Sequence, residues 1–225
     1  MLELALKSLS AYLIGSLIGA LVVGKLRGGI DIRTMGSGNA GGTNALRTQG
    51  PLFALWVMLI DVGKGVLAVQ TIARLHLEFV LPPQELLGWP AATIWLQVAC
   101  GAACVTGHVF PLWFQFSGGK GAATLLGVLV GLMPGAVLPV MLVWGLVLVA
   151  TGYVGLATIL ATISFPLYLA GVLGDELPSA VMTPLCVFGI AMACFVCFTH
   201  RSNIGRMLVG SESRFERVWL LRSRG

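Results

Sequence analysis

Charged side chains are scarce in this chain and make up 10% of its 225 residues, whereas soluble domains carry about 25%. Hydrophobic residues account for 57%, and the mean hydropathy is +0.92. These values exclude an ordinary soluble enzyme and predict an integral membrane protein in contact with membrane lipids. The net charge of +5 comes from basic residues dispersed around apolar segments. It indicates membrane orientation and anionic partners, and we expect no nucleic-acid binding.

Sequence patterns for covalent and metal-dependent catalysis are also missing. The chain has no His-x-x-x-x-Asp pair, typical of acyltransferases that use coenzyme A or carrier-protein thioesters, and no Gly-x-Ser-x-Gly nucleophile elbow. It has no carboxylates spaced for two metal ions, so we expect no metal site and no cofactor. The five cysteines lie in apolar segments without histidines or carboxylates at ligand spacing. They therefore indicate packing residues rather than disulfides or zinc ligands.

Long apolar segments dominate the chain. About 20 apolar residues cross about 30 Å of hydrocarbon, and the pattern predicts about seven transmembrane helices. The predicted fold class is an all-α membrane bundle, in one domain covering residues 1–225. Pro134-Gly135 divides one long segment into two helices, interpreted as a hairpin in the membrane. A five-span arrangement, with the less apolar segments at the surface, is the alternative. The predicted spans are approximately 4–24, 52–73, 90–107, 122–133, 136–150, 155–171 and 180–199.

The distribution of lysine and arginine predicts the orientation. With seven spans, one side of the membrane receives eleven of these residues and the other side receives only Lys7 and Arg74. By the positive-inside rule, the N-terminus lies outside and the C-terminus lies in the cytoplasm. The polar stretches between spans then share the cytoplasmic face, where we expect the active site. The eleven residues are Lys25, Arg27, Arg33, Arg47, Lys120, Arg201, Arg206, Arg214, Arg217, Arg222 and Arg224.

A glycine-rich stretch, residues 34–50, belongs to a polar loop, 25–50, between the first two apolar segments. Small residues let several backbone N–H groups approach an oxyanion, and an arginine adds a planar fork suited to phosphate. These features predict an anion site rather than a flexible connector. The candidate residues are Ser37, Gly38, Asn39, Thr43, Asn44 and Arg47.

A second candidate, Gly118-Gly119-Lys120-Gly121, opens directly into an apolar segment. Free N–H groups and the positive end of a helix dipole favour an anion there, and Lys120 adds a point charge. A nucleotide P-loop is a poor match, because the upstream glycine and a preceding strand are missing. The alternative for Lys120 is a lysine at a helix end that extends to the membrane surface.

A third candidate follows the last span, in His200-Arg-Ser-Asn203-Ile-Gly-Arg206. His200 and Asn203 are three residues apart and share a face if the helix continues. His200 is a candidate acid/base, phosphate ligand or helix cap, and Glu212 a candidate to hold a basic partner.

Asp61, Lys64 and His108 are polar residues that fall within or at the end of apolar segments. Asp61 and Lys64, at i and i+3, are expected to pair, either as an internal ion pair or in contact with substrate. His108, in Gly107-His-Val-Phe-Pro111, is either structural or part of the site lining.

Taken together, these blocks resemble the bacterial acyl-phosphate:glycerol-3-phosphate acyltransferases, the PlsY family. The resemblance covers nearly the whole chain, with the blocks in the family's order. The sequence departs from the family at Gly42, where alanine is common, and at Gly152 and Gly155, where the family often has arginine and serine. The blocks that carry it are Gly36–Arg47, Gly107–Pro111, Gly118–Thr124, His200–Arg206 and Gly210-Ser-Glu212.

The resemblance implies a seven-helix bundle in the bacterial inner membrane, with its active site at the cytoplasmic face. It implies transfer of an acyl group from acyl phosphate to the sn-1 hydroxyl of glycerol 3-phosphate, in phospholipid biosynthesis. The products are lysophosphatidic acid and inorganic phosphate, and neither coenzyme A nor acyl carrier protein takes part. It also implies site residues by motif position. Those expected to be catalytic are Ser37, Lys120 and His200, and those expected to bind substrate are Gly38, Asn39, Thr43, Asn44, Arg47, Gly118, Gly119, Gly121, Asn203 and Glu212.

A transporter of a phosphorylated solute is the alternative from another functional class. Broken segments near a polar site would suit a transporter. It is disfavoured because the polar motifs gather at one face instead of the bilayer midplane, and because the sequence shows no clear inverted repeat.

Overall fold

The computed structural model describes residues 2–75, 90–174 and 176–216, and within these residues every regular element is helical. The chain divides into two compact units, Met1–Met133 and Pro134–Gly225. Three of the arginines that predict the orientation, Arg217, Arg222 and Arg224, lie outside the described residues.

The first unit contains six described α-helices between Leu2 and Leu132. Pro51 lies in the first turn of the helix Pro51–Leu67, where the missing N–H group of proline costs no hydrogen bond. Short 3-10 turns at Ile32–Thr34 and Leu112–Phe114 flank the two predicted anion sites. The helices are α1, Leu2–Gly15; α2, Gly19–Leu26; α3, Gly42–Gln49; α4, Pro51–Leu67, extended by a π turn at Ala68–Ile72; α5, Pro90–Val109; and α6, Ala122–Leu132.

The first predicted span, 4–24, is not one continuous helix. It breaks after Gly15, and α2 resumes at Gly19 with a bend of 47°. Gly15 lies so close to α5 that a Cβ on it would collide with the backbone of Cys104. The break leaves the carbonyl groups of Gly15 and Leu17 without helical partners, and the side chain of Lys64 on α4 donates to both.

Close helix contacts bring the loop Gly118–Gly121 to the side of α4. A Cβ on Gly65 would collide with the carbonyl oxygen of Thr124, and one on Gly127 would collide with that of Val62. Small residues of this kind let two membrane helices approach backbone to backbone. The start of α6, and the loop before it, are therefore fixed against the helix that carries Asp61 and Lys64.

The second unit contains four described helices: α7, Pro134–Thr151; α8, Val154–Val172; α9, Ser179–Thr199; and α10, Arg201–Leu208. Helix α8 packs against both α7 and α9. The indole N–H of Trp144 donates to Thr158 Oγ1 at 3.3 Å, between α7 and α8. Gly189 on α9 allows close contact with Phe165 and Pro166 on α8.

Five described segments are long and apolar enough to cross a membrane, and the bent pair α1–α2 makes a sixth if it counts as one span. Helix α6 is apolar but has 11 residues, and at about 1.5 Å per residue it is shorter than the hydrocarbon layer. The all-α membrane fold is thus confirmed. Each of the seven predicted segments is helical apart from the break at residues 16–18, and each predicted boundary lies within two residues of the observed one.

Candidate active site

The first candidate anion site, residues 34–50, is partly helical, so the prediction of a polar loop throughout 25–50 is wrong for α3. Helix α3 begins at Gly42, which places Thr43 and Arg47 one turn apart on the same face. Asn44 points in another direction and is 1% exposed. Arg47 is exposed and Thr43 is half-buried, so this pair is accessible to a ligand whereas Asn44 is not.

Asn44 holds the preceding turn in place. Its amide nitrogen donates to the carbonyl oxygens of Ile32 and Met35, both at 3.0 Å. Its Oδ1 accepts the backbone N–H of Ser37 at 3.0 Å. Both N–H donors of the amide are therefore used within the protein, and its oxygen positions Ser37, which is exposed.

The glycine-rich loop is fastened to the end of α5. The backbone N–H of Gly118 donates to Val109 O at 3.2 Å, and that of Gly119 donates to His108 O at 3.1 Å. Each of these two N–H groups has an acceptor within the protein, and phosphate binding by Gly118 and Gly119 stays a prediction. Gly121, with φ of +87°, then turns the chain into α6 without a side-chain cap. This turn leaves Lys120 immediately before the first turn of α6, whose N–H groups face the loop.

Arg33 was not predicted as a site residue. It connects the turn before residues 34–50 with the loop Gly118–Gly121. Its Nη1 donates to Ser117 O at 3.1 Å, next to the glycine loop. The same guanidinium pairs with Asp31, with Nη2 2.7 Å from Oδ2. The hydrogen bond from Arg33 holds the pKa of Asp31 below its ordinary value and that of Arg33 above it. The Asp-x-Arg spacing at 31–33 was the available signal for this pair.

Asp61, Lys64 and His108 form a buried polar cluster in the first unit. The predicted ion pair is confirmed, with Lys64 Nζ 2.9 Å from Asp61 Oδ1. Lys64 Nζ also lies 2.8 Å from His108 Nδ1. The three side chains are 5% exposed or less, so the cluster is internal.

In the second unit, His200 ends α9 and its ring is oriented by the helix. Its Nδ1 lies 2.9 Å from the carbonyl oxygen of Val196. A carbonyl oxygen only accepts, so Nδ1 carries a proton and Nε2 is the acceptor nitrogen when the ring is neutral. His200 is 4% exposed, which limits contact to a ligand that reaches this buried ring edge.

Asn203 and Glu212 are brought together after α9. The amide nitrogen of Asn203 donates to Glu212 Oε1 at 2.6 Å, and Arg206 Nε donates to Oε2 at 2.6 Å. The predicted role of Glu212 in holding a basic residue is confirmed, and Arg206 is that residue. A Cβ on Gly155 would lie 3.1 Å from the side chain of Asn203. Asn203 thus occupies the space that a side chain at 155 would need.

The tail after α10 returns to the junction between α7 and α8. The backbone N–H of Phe215 donates to Gly152 O at 2.7 Å, and the Arg214 guanidinium lies 4.7 Å above the ring of Tyr153. Residue 152 is glycine here, where arginine is frequent in the family that the sequence resembles. An arginine is nevertheless present at this junction, contributed by the tail.

The predicted site residues thus form one set in each unit. Ser37, Asn44, Arg47 and the glycine loop belong to the first, whereas His200, Asn203 and Glu212 belong to the second. Within residues 2–75, 90–174 and 176–216, no group of three His, Cys, Asp or Glu residues is arranged to hold a metal ion.

Comparison with known proteins gives consistent matches over most of the chain. Residues 5–210 match the family described as glycerol-3-phosphate acyltransferase. Proteins of that name from Pelodictyon phaeoclathratiforme and Chlorobaculum tepidum are 37% and 39% identical to this chain, respectively. Each of the two alignments covers 91% of this chain and 93% of the relative.

Two crystal structures are also similar. Both are of PlsY, named an integral membrane glycerol 3-phosphate acyltransferase. The glycerol 3-phosphate form is 35% identical, has a TM-score of 0.73 and aligns over 94% of this chain and 95% of that one. The lysophosphatidic acid form is 32% identical, with a TM-score of 0.76 and 94% coverage of each chain.

Proposed function

The chain belongs to the glycerol-3-phosphate acyltransferase family, and we propose that its acyl donor is an acyl phosphate and its acceptor the sn-1 hydroxyl of glycerol 3-phosphate. The products are lysophosphatidic acid and inorganic phosphate. The observation that carries this proposal is the loop Gly118–Gly121, which presents Lys120 at the start of α6. A cation beside helix N–H groups suits a departing phosphate.

The reaction needs no covalent intermediate on the protein. An acyl phosphate is a mixed anhydride and is already activated for attack. The hydroxyl oxygen of glycerol 3-phosphate bonds to the acyl carbon, the bond from that carbon to the phosphate oxygen breaks, and the hydroxyl proton is taken up by a base. Lys120 stabilises the negative charge that develops on the departing phosphate. Gly118, Gly119 and Gly121 contribute by shaping the loop that holds Lys120.

We assign the remaining residues of the first unit to substrate binding. Arg47, with Thr43 on the same face of α3, binds the phosphate of glycerol 3-phosphate, since an arginine fork matches phosphate geometry. Ser37, Gly38 and Asn39 border the acyl phosphate. Asn44 acts indirectly, because its hydrogen bonds hold the turn that carries Ser37.

In the second unit, Asn203 binds glycerol 3-phosphate and Glu212 orients Asn203 through their hydrogen bond. His200 has two possible roles, since either its Nε2 or a phosphate oxygen of the substrate accepts the hydroxyl proton. The hydrogen bond from Nδ1 to Val196 supports the base role by leaving Nε2 as the acceptor nitrogen.

The base role of His200 is testable with His200→Gln. A base is inactive when protonated, so kcat/KM of the wild-type enzyme should fall as the pH is lowered, and this acidic limb should be absent from the profile of the variant. Initial rates measured across the pH range give both profiles. An unchanged profile in His200→Gln excludes the base role and leaves the ligand role.

The donor is tested with purified protein and labelled glycerol 3-phosphate. We expect lysophosphatidic acid with acyl phosphate alone, and at least about 100-fold less product with acyl-coenzyme A or acyl carrier protein, because a thioester releases a thiol and not the phosphate that Lys120 is proposed to stabilise. Product from a thioester at a similar rate would contradict the proposed donor. Uptake of glycerol 3-phosphate into proteoliposomes without any product would instead favour the transporter.

We further propose that the protein lies in the bacterial inner membrane with its C-terminus in the cytoplasm. The excess of basic residues in the stretches assigned to that side supports this orientation. Proteolysis of the tail in inverted vesicles, compared with right-side-out vesicles, tests the assignment.

A further inference from the structure

The break between α1 and α2 is held by the ion pair on α4. Lys64 Nζ donates to Gly15 O at 3.0 Å and to Leu17 O at 2.8 Å, the carbonyls that the break exposes. Asp61 Oδ1 accepts the backbone N–H of Gly19 at 3.0 Å, at the first turn of α2. A cation thus lies at the C-terminal end of one helix and an anion at the N-terminal end of the next, which is the favourable sign at both helix dipoles.

The same lysine fixes the ring of His108. Nδ1 of His108 lies 2.8 Å from Lys64 Nζ and 3.4 Å from Asp61 Oδ1. The two contacts require opposite roles of Nδ1, since an ammonium group only donates and a carboxylate only accepts. Lys64 Nζ has three N–H groups for four nearby oxygen and nitrogen atoms, so Nδ1 is held between the ammonium group and the carboxylate whichever ring nitrogen carries the proton. The orientation of the imidazole is therefore set by a buried charge.

The opposite edge of this ring lies against the glycine loop. A Cβ on Gly119 would collide with His108 Nε2 and would lie 3.1 Å from Ala40 O. Gly119 is buried, and its N–H donates to the carbonyl oxygen of His108 itself. His108 therefore contacts the loop through both its backbone and its ring edge, one residue before Lys120.

We propose that His108 is a positioning residue of the acyl transfer, whose Nδ1 end is anchored by Lys64 and whose Nε2 edge sets the position of Gly119 and hence of Lys120. The inference rests on the proposed function, in which Lys120 stabilises the departing phosphate. His108 is buried and contacts the loop through its backbone and its ring, and in this proposal it acts through the loop. Misplacement of a reacting group by about 1 Å can cost about 100-fold in rate, so support of this kind affects catalysis.

Two variants distinguish the contribution of the Nδ1 end of the His108 ring from that of its Nε2 edge. The amide oxygen of Asn overlays Nδ1 of histidine, so His108→Asn keeps an acceptor for Lys64 and removes the edge against Gly119. The amide nitrogen of Gln overlays Nε2, so His108→Gln keeps that edge and loses the anchor. Both variants are compared at equal amounts of folded enzyme, with the KM values of acyl phosphate and glycerol 3-phosphate measured separately.

The two variants should show opposite defects. For His108→Asn we expect kcat/KM for acyl phosphate to fall about 100-fold, with the KM for glycerol 3-phosphate unchanged and the melting temperature close to that of the wild type. His108→Gln should melt at a lower temperature and retain at least about tenfold more of kcat/KM than His108→Asn. Equal losses in both variants, or equal changes in both KM values, would overturn the proposal, since a loss of folded protein affects both substrates alike.

Hydrogen exchange of the loop gives a readout that does not depend on activity. The N–H groups of Gly118 and Gly119 are hydrogen-bonded to α5, and His108→Asn should exchange them faster than the wild type, whereas His108→Gln should change them less. If the wild-type enzyme does not use acyl phosphate, the proposed function fails while this experiment still tests the support of the loop. Unchanged exchange in His108→Asn would overturn the positioning role even if the donor is confirmed.

Discussion

Lys120→Ala is expected to reduce turnover at least about 1,000-fold while the protein remains folded. Lys120 directly follows Gly119 and precedes the turn at Gly121 that starts α6, and in the proposed reaction it faces charge that appears only as the phosphate departs. Removing a group that acts mainly in the transition state lowers kcat and kcat/KM together. Steady-state kinetics with acyl phosphate as the varied substrate measure this loss.

The matched control is Lys25→Ala. Lys25 is an exposed lysine near the end of α2, and it belongs to the same predicted side of the membrane. We expect its removal to change kcat by less than about twofold, since it has no part in the proposed reaction. Lys120→Arg should lie between the two, because it keeps a positive charge but replaces a point charge by a planar fork. Full activity of Lys120→Ala would rule out the assigned role.

The sequence predicts the helices well because each membrane span is recorded in a local run of apolar residues. The boundaries of α7 and α8 follow from Pro134 and from the interruption at Gly152, both of which are visible in the sequence. The break after Gly15 has a weaker local signal, since Gly15-Ser16 suits a kink but residues 16–18, Ser-Leu-Ile, also suit a continuous span. The break is compensated by Asp61 and Lys64, more than 40 residues away, and the sequence gives their spacing but not their partners.

The candidate site shows a similar limit. Motif positions predict which stretches form the site, but they do not show which N–H groups are already bonded. The amides of Gly118 and Gly119 donate to α5, and the side chain of Asn44 is used inside its own turn. Arg206 and Glu212 both lie in motif blocks that the sequence identifies. Their contact depends on the path of the chain after α10, which the sequence does not show. Assigning donors therefore requires the tertiary structure, because an acceptor can come from any neighbouring helix.

The buried ion pair is expected to have a large effect on stability. Lys64→Met should lower the free energy of unfolding by about 3–5 kcal/mol, because the carboxylate of Asp61 remains buried without its cation. The carbonyl groups of Gly15 and Leu17 also lose their donor. Reversible unfolding in mixed micelles, followed by the amount of helix, measures the difference from the wild type.

The double variant Asp61→Asn/Lys64→Met separates the charge from the hydrogen bonds. Asparagine still offers an oxygen to the N–H of Gly19 and carries no charge, so the double variant should recover about half of the loss if the unpaired carboxylate is the main cost. The pair is not fully compensated in the wild type either, since Asp61 Oδ2 has no hydrogen-bond partner among the described residues. A double variant no more stable than Lys64→Met would place the cost in the two carbonyl groups.

The pair Asp31–Arg33 provides the solvent-exposed comparison for this measurement. Its carboxylate is partly exposed, and water screens an ion pair in such a position, so Asp31→Asn should cost about 1 kcal/mol or less. If Lys64→Met costs no more than Asp31→Asn, the buried cluster does not stabilise the break between α1 and α2. The support of His108 by Lys64 would then lose its energetic basis, since a lysine that can be removed without cost does not hold a ring in place.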